Sequence, residues 1–441
     1  MMKKTIFALI ITVACTSFLI CLVAFNTITS KGKTYRLPAQ ASSRDQVIPN
    51  NIAYGVATKG GLGGKIIKVT NLNLDGKGSL KEAIRTKGPR LVIFEVAGVI
   101  DLNKTNLSIA EPFLTIAGQT APSPGITLIK GGLNLVTHDI IIQHIRVRPG
   151  DAGAPKKSGF EPDGITTYGG NAYNIIIDHC SITWGVDENL SATGARKGVE
   201  FTSHKVTFSN NIIAEGLLEA SHSKGEHSMG SLVHDFVQDI AIVGNLYSCN
   251  NQRNPFFKAF TKGAVINNVI YNPGNIAIQI NWVEEELAKL SYPPEKGKVS
   301  IVGNVLREGP NTKKELVLVS GRGDIYMKDN LTYGADGKII DTKVSEQISM
   351  LKDRPSWPSN FTALSSSVVI KYVIGHAGAR PKDRDPIDKR IVGDFENFKG
   401  RIISSQTEVG GYPKYDTVYR KLEVPVIGID QWLAKFSAEV E

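Results

Sequence analysis

Short runs of aliphatic and β-branched residues, each closed by a polar residue, recur through the middle of this chain. They read His138-Asp-Ile-Ile-Ile-Gln-His144, Asn174-Ile-Ile-Ile-Asp-His179, Val206-Thr-Phe-Ser-Asn-Asn211 and Ile240-Ala-Ile-Val-Gly-Asn245. Ala264-Val-Ile-Asn-Asn268, Val299-Ser-Ile-Val-Gly-Asn304 and Ile325-Tyr-Met-Lys-Asp-Asn330 continue the series. The intervals fall within roughly 20–40 residues, the period of a solenoid rather than a sandwich. No long helix intervenes, so the strands are not joined by βαβ crossovers. The pattern predicts an all-β fold, a single right-handed parallel β-helix over residues 56–340 with rungs from about Val56 to Leu331. Asn211, Asn245, Asn268 and Asn304 should stack at its bends, hydrogen-bonding along the stack where backbone groups would otherwise be buried unpaired.

The flanks read differently. Gly60-Gly-Leu-Gly-Gly64 is a tight turn before the strand Lys65–Val69, since no Gly-Lys-Ser/Thr follows to make a phosphate loop. Ser79-Leu-Lys-Glu82 is a capping box that opens a short helix to about Thr86, expected to cap the N-terminal end of the solenoid. Glu284–Lys298 is a charged insertion, and residues 341–441 form a tail expected to pack on the side and end of the solenoid. Within that tail Asp430–Phe436 reads as a short helix.

Composition adds a compartment and a class of partner. Lys3-Lys4 followed by an apolar run from Thr5 to Phe25 marks residues 1–28 as a signal peptide or retained anchor, with residues 29–55 as a linker. Thr12–Cys15 only approximates a lipoprotein box. The expectation is an exported chain, secreted, periplasmic or anchored at the cell surface, meeting a membrane only through that segment. Without its two leader lysines the formal charge of +9 becomes +7, which suits an acidic polymer. The cations are scattered rather than bunched with aromatics, which argues against nucleic acid. A monomer is expected. Cys180 and Cys249 lie on rungs separated by another, roughly 10 Å apart and beyond the roughly 7 Å reach of a disulfide. Two free, buried thiols follow.

Chemistry gathers between Glu161 and Ser191. Asp163 and Asp187 are about one turn of the solenoid apart, and strands roughly 4.8 Å apart would let their carboxylates share a hard cation such as calcium. Ordinary turn acids are the other reading. His222, His227 and His234 show no i, i+4 pair with a catalytic Glu and no Cys partner, which argues against zinc. His179 reads as a member of the polar ladder. A second cluster, Asn250-Asn-Gln-Arg253-Asn-Pro255-Phe-Phe-Lys258, follows.

With Asp178-His179, Gly78-Ser-Leu-Lys-Glu82, Leu114-Thr-Ile-Ala-Gly-Gln-Thr120, Trp184-Gly-Val-Asp187-Glu188 and Arg253-Asn-Pro255-Phe-Phe-Lys258 in this order, the chain resembles the pectate lyases of the first polysaccharide lyase family. The resemblance spans about Val56 to Asn304. It implies a pectin-lyase-like solenoid that cleaves polygalacturonate by calcium-dependent β-elimination. On that resemblance Asp163, Asp187 and Glu161 fall on calcium-binding positions, with Glu188 available to compensate for Ser191, where many members carry a further aspartate. Arg253 falls on the base, Lys258 on a substrate-binding arginine, and Lys224 is the candidate for a substrate-binding lysine. A lysine in place of the second arginine keeps a point charge and loses the bidentate fork. A β-helical glycoside hydrolase is one rival, although its Asn-Thr-Asp, Asp-Asp and Gly-His-Gly elements do not occur here. A non-catalytic polysaccharide-binding or adhesin solenoid is the other.

Overall fold

The recurrent runs become neighbouring strands because each buries one face and offers its backbone to the next turn. In the computed structural model, which describes Tyr54, residues 58–359 and residues 361–441, they form one long parallel sheet. The strands Ile140–Gln143, Tyr173–Asp178, His204–Ser209, Gln238–Val243, Lys262–Ile266, Lys298–Val302 and Asp324–Lys328 follow in order. Their register stacks Ile142, Ile177, Phe208, Ile242, Val265 and Ile301 one above another, all buried. Residues 1–28, read as signal or anchor, lie outside the described residues, as does the 29–55 arm except for Tyr54.

The chain leaves this first sheet at a sharp corner, enters a second sheet, and then a third before it returns. Among the described residues the three sheets hold 11, 11 and 8 strands, nearly all parallel. The result is a parallel β-helix whose interior is a continuous aliphatic column from Val69 to Ile348. At the corner between the first and second sheets one residue of each turn is left-handed: His144, His179, Asn210, Gly244, Asn267, Gly303 and Asp329. Glycine and the Asx residues tolerate that conformation best, which explains their frequency there.

The next residue carries the ladder. Asn211 donates its backbone and side-chain N–H groups to Asn245 Oδ1 at 2.9 Å, and Asn245 does the same to Asn268 at 2.9 Å. Asn268 continues to Asn304 and Asn304 to Asn330, both side-chain bonds at 3.0 Å. His179 does not belong to this ladder. It is one residue early, in the left-handed column stacked on His144, and Cys180 occupies the ladder position and donates its N–H to Asn211 Oδ1. The run Asp178-His179 ends one residue sooner than Asn210-Asn211 relative to the corner, so alignment on the polar residue alone misplaces it. Asn245→Ala should strand the buried N–H groups of Asn211 and the carbonyl of Phe208, costing about 2–4 kcal/mol of stability in urea unfolding.

Five α-helices decorate the solenoid among the described residues: α1 (Leu80–Arg85), α2 (Glu284–Leu287), α3 (Ser366–His376), α4 (Pro386–Glu396) and α5 (Ile429–Val440). Ser79 caps α1 by accepting from Glu82 N–H, while Glu82 reaches Gly78 N–H rather than that of Ser79. Leu80, Ala83 and Ile84 of α1 join the first rungs, and buried Arg90 donates to the α1 carbonyl of Ile84. α3 and α4 cover the outside of the second sheet through Val369, Tyr372, Ile391 and Phe395. α5 lies against Leu91, Ile93 and Ala117 on the first sheet, near the N-terminal end. Just before it, Val418–Tyr419 pairs antiparallel with Val96–Asp101.

Beneath α4 lies a fully buried ionic cluster. Arg148 donates to Asp385 at 2.5 Å and to Asp388 at 2.7 Å, while Arg146 donates to Asp388 at 3.2 Å. Asp385 also caps α4, followed by Pro386 at the first helical position. Burial alone would favour a neutral Asp385, yet Arg148 and Arg146 hold its carboxyl below the usual range. Cys180 and Cys249 are free and buried, one in the inner column and one under the tail, and burial pushes both thiols up to about 12.

Candidate active site

The candidate site forms where the chain passes from the second sheet into the third. Asp163 precedes Ile165–Tyr168, and Glu188 opens the adjacent strand Glu188–Thr193, in register with Ile165 opposite Leu190. Glu188 N–H donates to Asp163 Oδ1 at 3.0 Å, and Thr166 donates its hydroxyl to Asp163 Oδ2. Asp187 stands beside them, and carboxylate oxygens of Asp163, Asp187 and Glu188 lie within 4.8 Å of one another. Burial, and then the charge of Asp187, push the Asp163 carboxyl up to about 7. Crowded carboxylates, with Asp163 held largely neutral below that value by burial and crowding, are a donor set that a hard divalent cation relieves. Ser191 is buried on the same strand.

Arg253 reaches this cluster from two rungs further on, because the strand Met229–Val233 intervenes with Met229 opposite both Glu188 and Gln252. Its backbone is left-handed at φ 62°. Gly230 lies beneath it, where a Cβ would come within 2.5 Å of the Arg253 carbonyl. The guanidinium pairs with Glu188 and lies 5.6 Å from the centre of the Phe256 ring. Burial lowers its pKa from the ordinary value, against the opposing pull of Asp187 and Asp163.

The remaining candidates sit apart from this contact. Glu161 accepts from Ser223 N–H at 2.7 Å, and the Ser223 hydroxyl, followed by that N–H, lowers its carboxyl pKa against burial. Lys224 is exposed on the same loop. Lys258 is only 4% exposed, paired with Glu286 of α2 and 3.5 Å from Asp235. Arg196 joins Glu286 at 2.8 Å and Asp235 at 3.0 Å. The charged insertion thus supplies an acid to the candidate substrate lysine, a partnership that residue spacing did not reveal. His222 and His227, set aside on their spacing, are brought face to face by a turn, with ring centres 3.4 Å apart. The His-Ser-Lys-Gly-Glu-His spacing hid this because it fits a turn and not a helix. His234 is separate, next to Asp235, and burial lowers its pKa to about 4.

No family model matches the chain. Among curated proteins, a probable pectate lyase C of Aspergillus flavus is 31% identical over 377 residues, covering 82% of this chain and 80% of the relative. The chain belongs to the pectate lyase family. A probable pectate lyase C of Aspergillus fumigatus agrees, at 30% identity over 387 residues with 85% and 83% covered. Among solved structures, Jun a 1, the major allergen from cedar pollen, superposes with a TM-score of 0.52 at 18% identity, over 74% of this chain and 92% of that one. A pectate lyase bound to a hexasaccharide gives 0.52 at 16%, over 76% and 98%. These likenesses show the parallel β-helix. Membership makes the chain a polysaccharide lyase of the pectate lyase family and sets aside the hydrolase and the adhesin.

Proposed function

We propose that the chain cleaves polygalacturonate by calcium-dependent β-elimination, with Arg253 as the base. The observation that carries this reading is the convergence of Asp163, Asp187 and Glu188 with a largely buried arginine. Asp163, Asp187 and Glu188 would hold calcium, which acidifies the C5 proton by drawing charge from the uronate carboxylate. Neutralising those acids would also free Arg253 from Glu188 and weaken the field that favours its charged form. Lys224 and the Lys258 network would bind the acidic polymer, the latter once Glu286 gives way. Incubation with polygalacturonate should give unsaturated product, read by ultraviolet absorbance, with calcium and not after chelation. Reducing ends formed without calcium would defeat the reading.

The raised Asp163 pKa sets a pH dependence. Below about pH 7 the carboxyl is neutral and must lose a proton to take the cation, so calcium affinity should fall about tenfold per pH unit there and level off above pH 8. Titration calorimetry in two buffers of different ionisation enthalpy reads the released proton. The folded-state value lies above the ordinary 3.8, so the metal-free protein bears a growing penalty as pH rises from that value through about 7. Asp163→Asn removes the penalty. It should raise the thermal midpoint of metal-free protein at pH 8 while abolishing calcium binding, and a lowered midpoint would mark Asp163 as structural.

A further inference from the structure

We propose that Asp187, His222 and His227 form a binding site for a borderline first-row divalent cation such as Zn²⁺ or Co²⁺, beside the all-carboxylate set and sharing Asp187 with it. The turn His222–Gly225, closed by Gly225 N–H donating to His222 C=O at 3.1 Å, folds the loop back so that both imidazoles point one way. His222 and His227 are 2% and 6% exposed. Their Nε2 atoms lie 3.7 Å and 3.5 Å from Asp187 Oδ1. The three ligand atoms fall within 4.8 Å of one another.

His227 Nδ1 lies 3.1 Å from the carbonyl of Gly225, which has no proton to give, so Nδ1 carries the hydrogen. Nε2 is thereby left facing the Asp187 carboxylate oxygen at 3.5 Å, the side on which a cation would bind. His222 Nδ1 accepts from Lys224 N–H at 3.1 Å and lies 3.5 Å from Glu161 Oε1. When a cation takes Nε2 of His222, the ring proton must move to Nδ1, so the bond from Lys224 N–H opens and Nδ1–H turns to Glu161, the carboxylate–histidine–metal arrangement that raises ligand basicity. Two imidazoles and one carboxylate suit zinc, cobalt, nickel or copper, whereas calcium prefers oxygen donors throughout. A cation must lie near the plane of each ring, so loading opens the stacked pair.

Because Asp187 serves both sets, the softer ion displaces calcium. That competition rests on the reading of Asp187 as a calcium ligand, whereas the histidine site does not. The test is titration of metal-free protein with Co²⁺, followed by calorimetry and visible absorption, and repeated with His222→Ala and His227→Ala. The expected result is one bound equivalent with an imidazole-type spectrum, weakened on the order of tenfold or more in each variant. Both variants should keep calcium affinity within about twofold, since neither imidazole is a donor for calcium. Where an alanine variant does not fold, His222→Gln or His227→Gln keeps a polar side chain in the pocket. Absence of Co²⁺ binding, or equal affinity in wild type and both variants, overturns the site. Histidine-dependent Co²⁺ binding in a protein that binds no calcium leaves the site standing and removes the calcium reading instead.

Discussion

Arg253→Lys is expected to lower kcat on polygalacturonate at saturating calcium by about 10²–10⁴, the range a general base contributes, and nearly as far as Arg253→Ala. The structure sharpens the reason. The guanidinium spans two rungs to meet Glu188 and lies over the Phe256 ring, so both its length and its planar face are in use. Lysine retains the charge but neither the fork nor that face. If Arg253 only attracts the polymer, the lysine variant keeps kcat and raises KM, the mark of lost uniform binding. Calcium affinity separates a further case. Removing Arg253 leaves Glu188 unpaired, which should tighten calcium, so a variant that loses both calcium and rate would point to collapse of the loop instead. A lysine variant near wild-type kcat would remove the base assignment.

The largest stability effect is expected under α4. Asp388→Ala should cost about 3–5 kcal/mol, because it leaves buried Arg146 and Arg148 sharing one remaining aspartate. Ser181 would also lose its carboxylate acceptor, now at 2.7 Å. The cluster lies where the tail meets the second sheet, so the damage should reach far beyond one helix. The reading is a lower urea midpoint at unchanged slope, together with faster proteolysis between residues 341 and 441. A cost under 1 kcal/mol would mean that water enters and solvates both arginines.

The repeating half of this fold was legible because each turn repeats the same physical demand. An apolar strand must end at a left-handed corner, and an amide must then satisfy the turn above, so Asn211, Asn245, Asn268 and Asn304 announce themselves. The carboxylates were legible only to within one position, since Asp163 and Asp187 fall about a turn apart while the register, offset by one residue from that spacing, sets Glu188 opposite Asp163. Features made by non-repeating chain were hidden. Nothing in the order of residues says that Glu286 of the insertion returns to Lys258, or that Arg148 is met by Asp385 more than two hundred positions later. His179 was misplaced for the opposite reason, because it is polar and ends a strand yet serves the corner beside the ladder.

The antiparallel pairing of Val418–Tyr419 with Val96–Asp101 has a consequence for how the molecule comes apart. A stack of repeats can ordinarily fray one unit at a time, since each touches only its neighbours. Here the chain's last segment crosses back to the opening turns, where Arg420 N–H and Leu422 N–H bond to Glu95 and Lys68 holds both Glu95 and the Leu422 carbonyl. The opening turns cannot peel away without first releasing this distant segment. A linear array is thereby closed into a loop of dependence, and the exposed edge from which unravelling would begin is tied down by the opposite end of the chain.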